Sequence, residues 1–258
     1  MIDQNSKDTA LPKWHLNNNL RFLVFNLVFA LTFFGPARDL ILTSWSSEYY
    51  SYIPFIPFIS AYLMYSDRKT IFSQKEESTS LPGLLAMCIG ILLLFVATNH
   101  KMLLGSADYL SLVTFLLITL WIGGFAICFG IRSTHAAVFP LLFLLFAVPI
   151  PYALLENIIL FLQSGSAEIS YLFFQAAGIP IARDGFIFHL PGLDIEVAKQ
   201  CSGIRSSLSL VITGALAAYF FLRTGWARVL LMVSIVPFAI VKNGIRIFTL
   251  TTLGVYWD

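Results

Sequence analysis

Long uninterrupted apolar blocks, separated by short polar connections, are the feature that most limits what this chain can fold into. Only 12% of the residues are charged, which is about half the fraction found in a soluble domain. Continuous apolar blocks of this length are typical of helices that cross a bilayer, where each helix satisfies its own backbone groups. The sequence therefore predicts an all-α fold, a polytopic membrane helical bundle.

We predict about seven spans and one integral membrane domain over residues 1–258. Residues 1–19 form an N-terminal tail, and residues 152–200 form an interfacial or re-entrant helix followed by a hairpin. The apolar stretch at the start of that segment is interrupted by polar residues, which distinguishes it from the spans. The predicted spans cover residues 20–34, 49–65, 81–97, 109–130, 134–150, 202–222 and 227–253.

The distribution of Lys and Arg predicts the orientation. With the N-terminus in the cytoplasm, the positive residues outside the two motifs described below fall mostly in cytoplasmic connections, as the positive-inside rule requires. We therefore expect a multi-pass protein of the cytoplasmic (inner) membrane with a cytoplasmic N-terminus. Its surroundings are membrane lipids, and a net charge of +2 is too small to indicate a nucleic-acid partner.

A short hairpin is predicted on the outer face just before the sixth span. Residues 185–190 have the composition of a strand, Pro191-Gly192 is a turn signal, and apolar and polar residues alternate along 194–198. This hairpin would deliver Cys201 to the start of the sixth span. We expect Cys201 in the first turn of that helix, where unpaired N–H groups and the helix dipole favour the thiolate.

Two arginines lie beside or within the last two apolar runs. Arg205 follows Cys201 by four residues, which places both on one helical face and would lower the thiol pKa. Arg246 is embedded in an apolar run, where a charge is costly and usually faces a polar cavity or partner. Asn243 precedes Arg246 by three residues and shares its face. Snorkelling of either arginine to the interface is the alternative interpretation.

Together these residues fit nucleophilic acyl transfer, in which a thiolate attacks a carbonyl and a fixed cation stabilises the oxyanion. His189 on the hairpin is a candidate general base. No cofactor and no metal site are predicted, because no His, Cys, Asp and Glu cluster has ligand spacing. A transporter or scaffold remains an alternative, as does a thiol-redox protein, although Cys88 and Cys128 both fall within predicted spans.

The run Glu-Val-Ala-Lys-Gln-Cys-Ser-Gly-Ile-Arg-Ser-Ser at 196–207, followed by Asn-Gly-Ile-Arg-Ile at 243–247, resembles the exosortase/archaeosortase family. The resemblance covers residues 185–250. It implies a membrane protein of about eight helices and a cysteine transpeptidase active on the outer side of the cytoplasmic membrane. The implied partners are exported proteins whose C-terminal sorting signal holds a Pro-Glu-Pro-like motif, a transmembrane helix and a basic tail.

The resemblance also assigns residues. Cys201 matches the family nucleophile and Arg246 its essential arginine, with Arg205 and Asn243 in supporting positions. The third residue of the family, a His or an Arg beyond the second motif, has no matching position here. We expect a further helix beyond Asp258 to supply it. Completion of the site by another group, or a catalytically impaired protein that binds sorting signals, are the alternatives.

Overall fold

The computed structural model describes residues 13–73, 80–100, 105–190 and 193–256. The chain forms two compact units, the first unit Met1–Ile150 and the second unit Pro151–Asp258. The single membrane domain expected from the sequence stays a prediction.

The first unit is entirely helical in its described part. α5 and α6 pack closely because small residues line their contact: a Cβ added to Gly83 would lie 2.9 Å from the Cβ of Ala126. α6 is kinked at Gly130, whose φ of 83° and ψ of 167° are open to glycine and costly for other residues. The helices are α1 Lys13–Thr32, α2 Phe34–Ser46, α3 Ile56–Ser66, α4 Arg68–Ile71, α5 Leu81–Asn99, α6 Ser106–Ala136 and α7 Val138–Phe143.

The second unit combines three helices with a small sheet. Its helices are α8 Tyr152–Ala176, α9 Ile204–Phe221 and α10 Gly225–Tyr256. Its strands are β1 Ala182–Asp184, β2 Ile187–Leu190 and β3 Leu193–Glu196, arranged antiparallel in the order β1-β2-β3.

The predicted hairpin is confirmed as β2 and β3, whose register pairs Phe188 with Ile195. The predicted alternation also holds, since Val197 is buried and Glu196 is exposed. The turn predicted at Pro191-Gly192 lies outside the described residues. β1 was not expected from the sequence and adds a third strand on the far side of β2.

The all-helical membrane fold is confirmed, but the number of seven spans is not. Among the described helices, four are long and apolar enough to cross a membrane: α5, α6, α9 with the turn before it, and α10. The number rises to six if two broken pairs each count as one span: α1 with α2, bent by 69°, and α7 with its following turn together with α8. The predicted span at 49–65 is wrong in length, because regular helix covers only Ile53–Ser66.

The predicted helix after residue 151 is present as α8, which is continuous and is not interrupted by its polar residues; its interfacial or re-entrant character stays a prediction. Instead, Gln163, Ser166 and Ser170 point into the core of the second unit, where all three are buried. The Ser170 hydroxyl donates to the carbonyl oxygens of Ser166, 2.7 Å away, and Gly244, 3.0 Å away. A polar stripe therefore faces α10.

α8 and α10 run parallel and in close contact. A Cβ added to Gly165 would lie 3.1 Å from Ile240, and one added to Gly244 would lie 2.5 Å from Ile169. One turn further along both helices, the rings of Phe174 and Phe248 meet with centroids 4.9 Å apart. The sheet and the Cys201 turn pack against this pair of helices.

Candidate active site

Cys201 lies in a single 3-10 turn, Lys199–Ser202, between the sheet and α9. Its backbone N–H donates to the carbonyl oxygen of Ala198 at 2.8 Å. The side chain is half-buried and packs against an apolar cluster that includes Phe188, Leu190 and Val197. The thiol is thus held on the buried face of the sheet.

The expectation that Cys201 occupies the first turn of a helix is wrong. Gly203 has φ of 76° and is left-handed, so the right-handed helix cannot run through it and α9 begins only at Ile204. The i to i+4 relation between Cys201 and Arg205 is lost for the same reason.

Asn243 joins the two motifs. Its side chain is buried at 2% exposure, and its Nδ2 donates to the carbonyl oxygen of Cys201 at 2.7 Å and to Ser166 Oγ at 3.0 Å. The same amide lies against Gly203, where an added Cβ would be 2.8 Å from the Asn243 Cγ and Oδ1. Glycine is therefore required at 203 for two reasons, its backbone conformation and the space that Asn243 needs.

α8 supplies a second support that sequence reasoning missed. Gln163 Nε2 donates to the carbonyl oxygen of Val197 at 2.5 Å, which fixes the chain between β3 and the Cys201 turn. The signal available in the sequence was the polar run Gln-Ser-Gly-Ser at 163–166 inside an apolar segment. Among the described residues, Gln163 Oε1 and Ser202 Oγ are buried without a hydrogen-bond partner. Both belong to segments packed around Cys201.

The two arginines of the motifs are exposed. Arg246 follows the buried Asn243 by one helical turn on α10, and Arg205 is the second residue of α9. Arg246 is thus exposed, and it lies one turn beyond Asn243 on α10 as the spacing predicts. No hydrogen bond or ion pair joins either guanidinium to Cys201 in the described part of the chain.

The structure does not bring His189 to Cys201. Along β2 the side chains alternate, so Phe188 and Leu190 are buried while His189 is exposed on the opposite face. His189 Nδ1 lies 2.8 Å from Asp194 Oδ1, its directly paired residue on β3. Since Cys201 packs on the face of Phe188 and Leu190, the sheet separates the imidazole from the thiol.

Two ion pairs attach the sheet and the turn to α8. Lys199 Nζ lies 2.7 Å from Glu156 Oε2, and Arg183 Nη1 lies 2.8 Å from Glu168 Oε1. Both pairs are partly exposed, so each contributes little to stability on its own. They connect the sheet and the Cys201 turn to α8 at two points, Glu156 and Glu168, which are about twelve residues or ~18 Å apart along the helix.

No group of three or more His, Cys, Asp and Glu residues that could hold a metal ion occurs within the described ranges. Cys201 is the single cysteine of the second unit, since Cys88 and Cys128 belong to α5 and α6 of the first unit. The site is thus composed of a thiol, two exposed guanidinium groups and a buried amide network.

Comparison with protein families gives a match to the family described as transmembrane exosortase (Exosortase_EpsH), over residues 44–258. Comparison with curated proteins and with solved structures gives no match. The matched range includes the Cys201 turn and Asn243 and Arg246 of α10, and it takes in far more than half of the chain. The chain therefore belongs to the transmembrane exosortase family.

Proposed function

We propose that this protein is a membrane cysteine transpeptidase or peptidase, with Cys201 as its nucleophile. The observation that carries the proposal is the 2.7 Å hydrogen bond from Asn243 Nδ2 to the carbonyl oxygen of Cys201. That bond joins the two motifs at one point of the fold, although the bonded residues are 42 positions apart in sequence. Membership of the exosortase family supports the same assignment.

The proposed substrates are exported proteins with a C-terminal sorting signal that includes a transmembrane helix. This helix would lie in the membrane beside α9 and α10, whose surfaces expose large apolar side chains such as Phe221 and Phe238. The scissile peptide would then meet Cys201 at the outer face of the cytoplasmic membrane. The exposure of Arg246 and Arg205 leaves both guanidinium groups open to a substrate approaching from outside the unit.

The reaction begins when the Cys201 thiolate attacks the scissile carbonyl carbon. Arg246 donates to the oxyanion that develops, and the C–N bond then breaks to give a thioester and a free amine on the helical fragment. An amine or water attacks the thioester and restores the thiol. In this proposal Arg205, the second residue of α9, offers a second exposed guanidinium group to the substrate.

In this proposal Asn243 and Gly203 hold the backbone of the Cys201 turn in one position. Because the amide of Asn243 holds the carbonyl of Cys201, the Sγ atom is carried on a turn whose orientation is fixed before substrate binds. The buried acceptor of Gln163 and the hydroxyl of Ser202 offer unused hydrogen-bonding capacity beside this turn. The general base that moves the protons is unassigned, because His189 lies on the other face of the sheet.

The test is processing of a co-expressed exported reporter that carries a Pro-Glu-Pro-type C-terminal signal, followed by gel mobility. We expect Cys201→Ser to abolish processing, and Arg246→Ala to slow it by about 10²–10³-fold, the usual loss for an oxyanion donor. Cys88→Ser is the matched control and should process as wild type. Processing by Cys201→Ser at the wild-type rate would refute the proposed mechanism.

A second candidate function is binding of sorting signals without cleavage. It is favoured by the separation of His189 from Cys201, because no other histidine lies in the described part of the second unit. In this case the wild-type protein would co-purify with the uncut reporter, and Cys201→Ser would not alter the amount retained. Measuring retention and processing on the same samples distinguishes the two functions.

A further inference from the structure

The first unit contains a large cavity that the proposed chemistry does not use. Its volume is about 970 Å³, near the upper end for small-molecule sites, and it is lined by residues of α1, α2, α3, α4 and α6. Most lining side chains are apolar or aromatic, including Phe29, Leu40, Met64 and Trp121. We refer to this space as the first-unit cavity.

The cavity is elongated along its helices. Its lining extends from Pro57 to Lys69 on the α3–α4 segment and from Thr114 to Phe125 on α6. At 1.5 Å rise per residue, each range corresponds to roughly 17 Å. One leaflet of the hydrocarbon core is about 15 Å deep, so the cavity has the length of a single acyl chain in one leaflet.

Two polar side chains of the cavity lining, Asn26 and Ser60, are satisfied by the protein itself. Asn26 Nδ2 donates to the carbonyl oxygen of Phe22 at 2.7 Å, and its Oδ1 accepts from Trp121 Nε1 at 3.0 Å. The Ser60 hydroxyl donates to the carbonyl oxygen of Pro140 at 2.8 Å. Since these groups are already paired, the interior suits an apolar occupant better than a polar one.

One end of the cavity is positively charged. Arg68 and Lys69 are exposed and are the charged residues of the lining, in which no carboxylate occurs among the residues that the structure describes. The Arg68 guanidinium lies over the ring of Tyr65, 4.1 Å from its centroid, and Nη1 donates to the Tyr65 carbonyl oxygen at 2.7 Å. A guanidinium has five N–H donors, so Arg68 keeps donors for an anion.

We propose that the first-unit cavity binds one anionic phospholipid, with an acyl chain in the apolar interior and the phosphate at Arg68 and Lys69. Basic residues at the mouth of a pocket between membrane helices favour anionic head groups in this way. A cationic peptide segment would be repelled by the same pair. The proposal is independent of the cysteine chemistry, which belongs to the second unit.

The role of Arg68 and Lys69 in binding the phosphate is tested by measuring how much lipid the protein retains. Purified protein is stripped of lipid, offered phosphatidylglycerol or phosphatidylcholine in detergent, and examined by native mass spectrometry. We expect one retained phosphatidylglycerol, and at least roughly tenfold weaker retention of phosphatidylcholine and of phosphatidylglycerol by Arg68→Gln/Lys69→Gln. Arg21→Gln/Arg38→Gln removes the same charge from exposed positions of the first unit outside the cavity and should retain lipid as wild type does.

The apolar interior is tested by filling it. Ala61 lines the cavity, whereas Ala30 is exposed on α1 and does not line it. Ala61→Phe should retain less phosphatidylglycerol than wild type, and Ala30→Phe should retain the same amount. Glycerol phosphate, which carries the head-group charge without acyl chains, should not compete at equal concentration.

Equal retention of the two lipids by wild type would overturn the proposal, as would unchanged retention in Arg68→Gln/Lys69→Gln. Full competition by glycerol phosphate would show a simple anion site and would also overturn it. If Ala61→Phe does not fold, the charge variants still decide, because both substituted side chains are exposed and the hydrogen bond and ring contact of Arg68 are both to the neighbouring Tyr65.

Discussion

The two units use buried polar groups for different purposes. In the first unit, Asn26 and Ser60 pair with nearby groups and leave an apolar cavity between the helices. In the second unit, Asn243 and Gln163 reach across to backbone carbonyls of a different segment and hold it in place. The difference teaches that polarity alone does not identify a reactive site in a membrane bundle. The informative feature is a buried amide, Asn243, that fixes the backbone of the proposed nucleophile Cys201.

The strongest test of this comparison is Gly203→Ala. The substitution imposes a side chain on a left-handed backbone, at a cost of about 1–3 kcal/mol, and places its Cβ against Asn243. We expect reporter processing to fall by more than tenfold, measured by gel mobility in membranes. Gly185→Ala is the matched control, since Gly185 has φ of 58° but nothing within 4 Å of its added Cβ. Equal processing by the two variants would contradict the role of Asn243 contact.

Removing the amide comes next in expected size. Asn243→Leu leaves the Cys201 carbonyl and the Ser166 hydroxyl without this donor, at about 1–3 kcal/mol. Processing should fall roughly tenfold or more while the thermal unfolding temperature drops only modestly. Asn157→Leu on α8 removes an exposed amide that bonds only its own helix at Ala153, and it should leave both measurements unchanged. A loss of processing in both variants would show a general folding defect.

A substitution in the first unit tests the other half of the comparison. Asn26→Leu removes the acceptor of Trp121 and leaves its indole N–H without that partner, which should lower the free energy of unfolding by about 1–2 kcal/mol. Processing per folded molecule should not change, because the Cys201 turn lies in the second unit. The measurement is thermal unfolding in detergent alongside the reporter assay. A selective loss of processing would disprove this division of roles.

The smallest effect is expected at the exposed ion pair between Glu168 of α8 and Arg183 of β1. Glu168 is exposed and its pair with Arg183 is partly screened, so Glu168→Gln should change stability by less than about 1 kcal/mol. The change should shrink further at high salt, which a pair of thermal unfolding curves at two ionic strengths would show. A large loss of stability would mean that Arg183 needs this partner to support the sheet.

Part of the second unit could be predicted because its signals are local. The alternation of apolar and polar residues gave β3 and the buried position of Val197, and the motif of Asn243 gave a supporting residue. β1 could not be predicted, since Ala-Arg-Asp at 182–184 carries no strand pattern and forms a strand through its pairing with β2. Gln163 was missed because its partner Val197 lies 34 residues away, and such contacts leave no periodic trace.

The errors in the first unit and at Cys201 have one origin. The limits of the predicted spans were placed by apolar content. The helices end instead at residues whose backbone dihedral angles leave the helical region. Gly203 shows this most clearly, because its positive φ ends the 3-10 turn and separates Cys201 from α9. In the same way, the backbone bends by 69° at Phe33 between α1 and α2, and this bend decides whether the two helices count as one span. Span number therefore depends on single backbone positions that hydropathy does not report.

Because α10 is continuous, its residue count fixes the distance between its first residue and Asn243. From Gly225, the first residue of α10, to Asn243 the helix rises through eighteen residues, or ~27 Å, which is close to the ~30 Å hydrocarbon thickness of a bilayer. Asn243 Nδ2 donates to the carbonyl oxygen of Cys201. The distance along the helix axis from Gly225 to the thiol is therefore set by the number of residues between Gly225 and Asn243. One inserted residue before Asn243 would turn the amide by about 100° and detach it from the cysteine. The length of α10 before Asn243 thus sets the depth in the bilayer at which the Cys201 thiol lies.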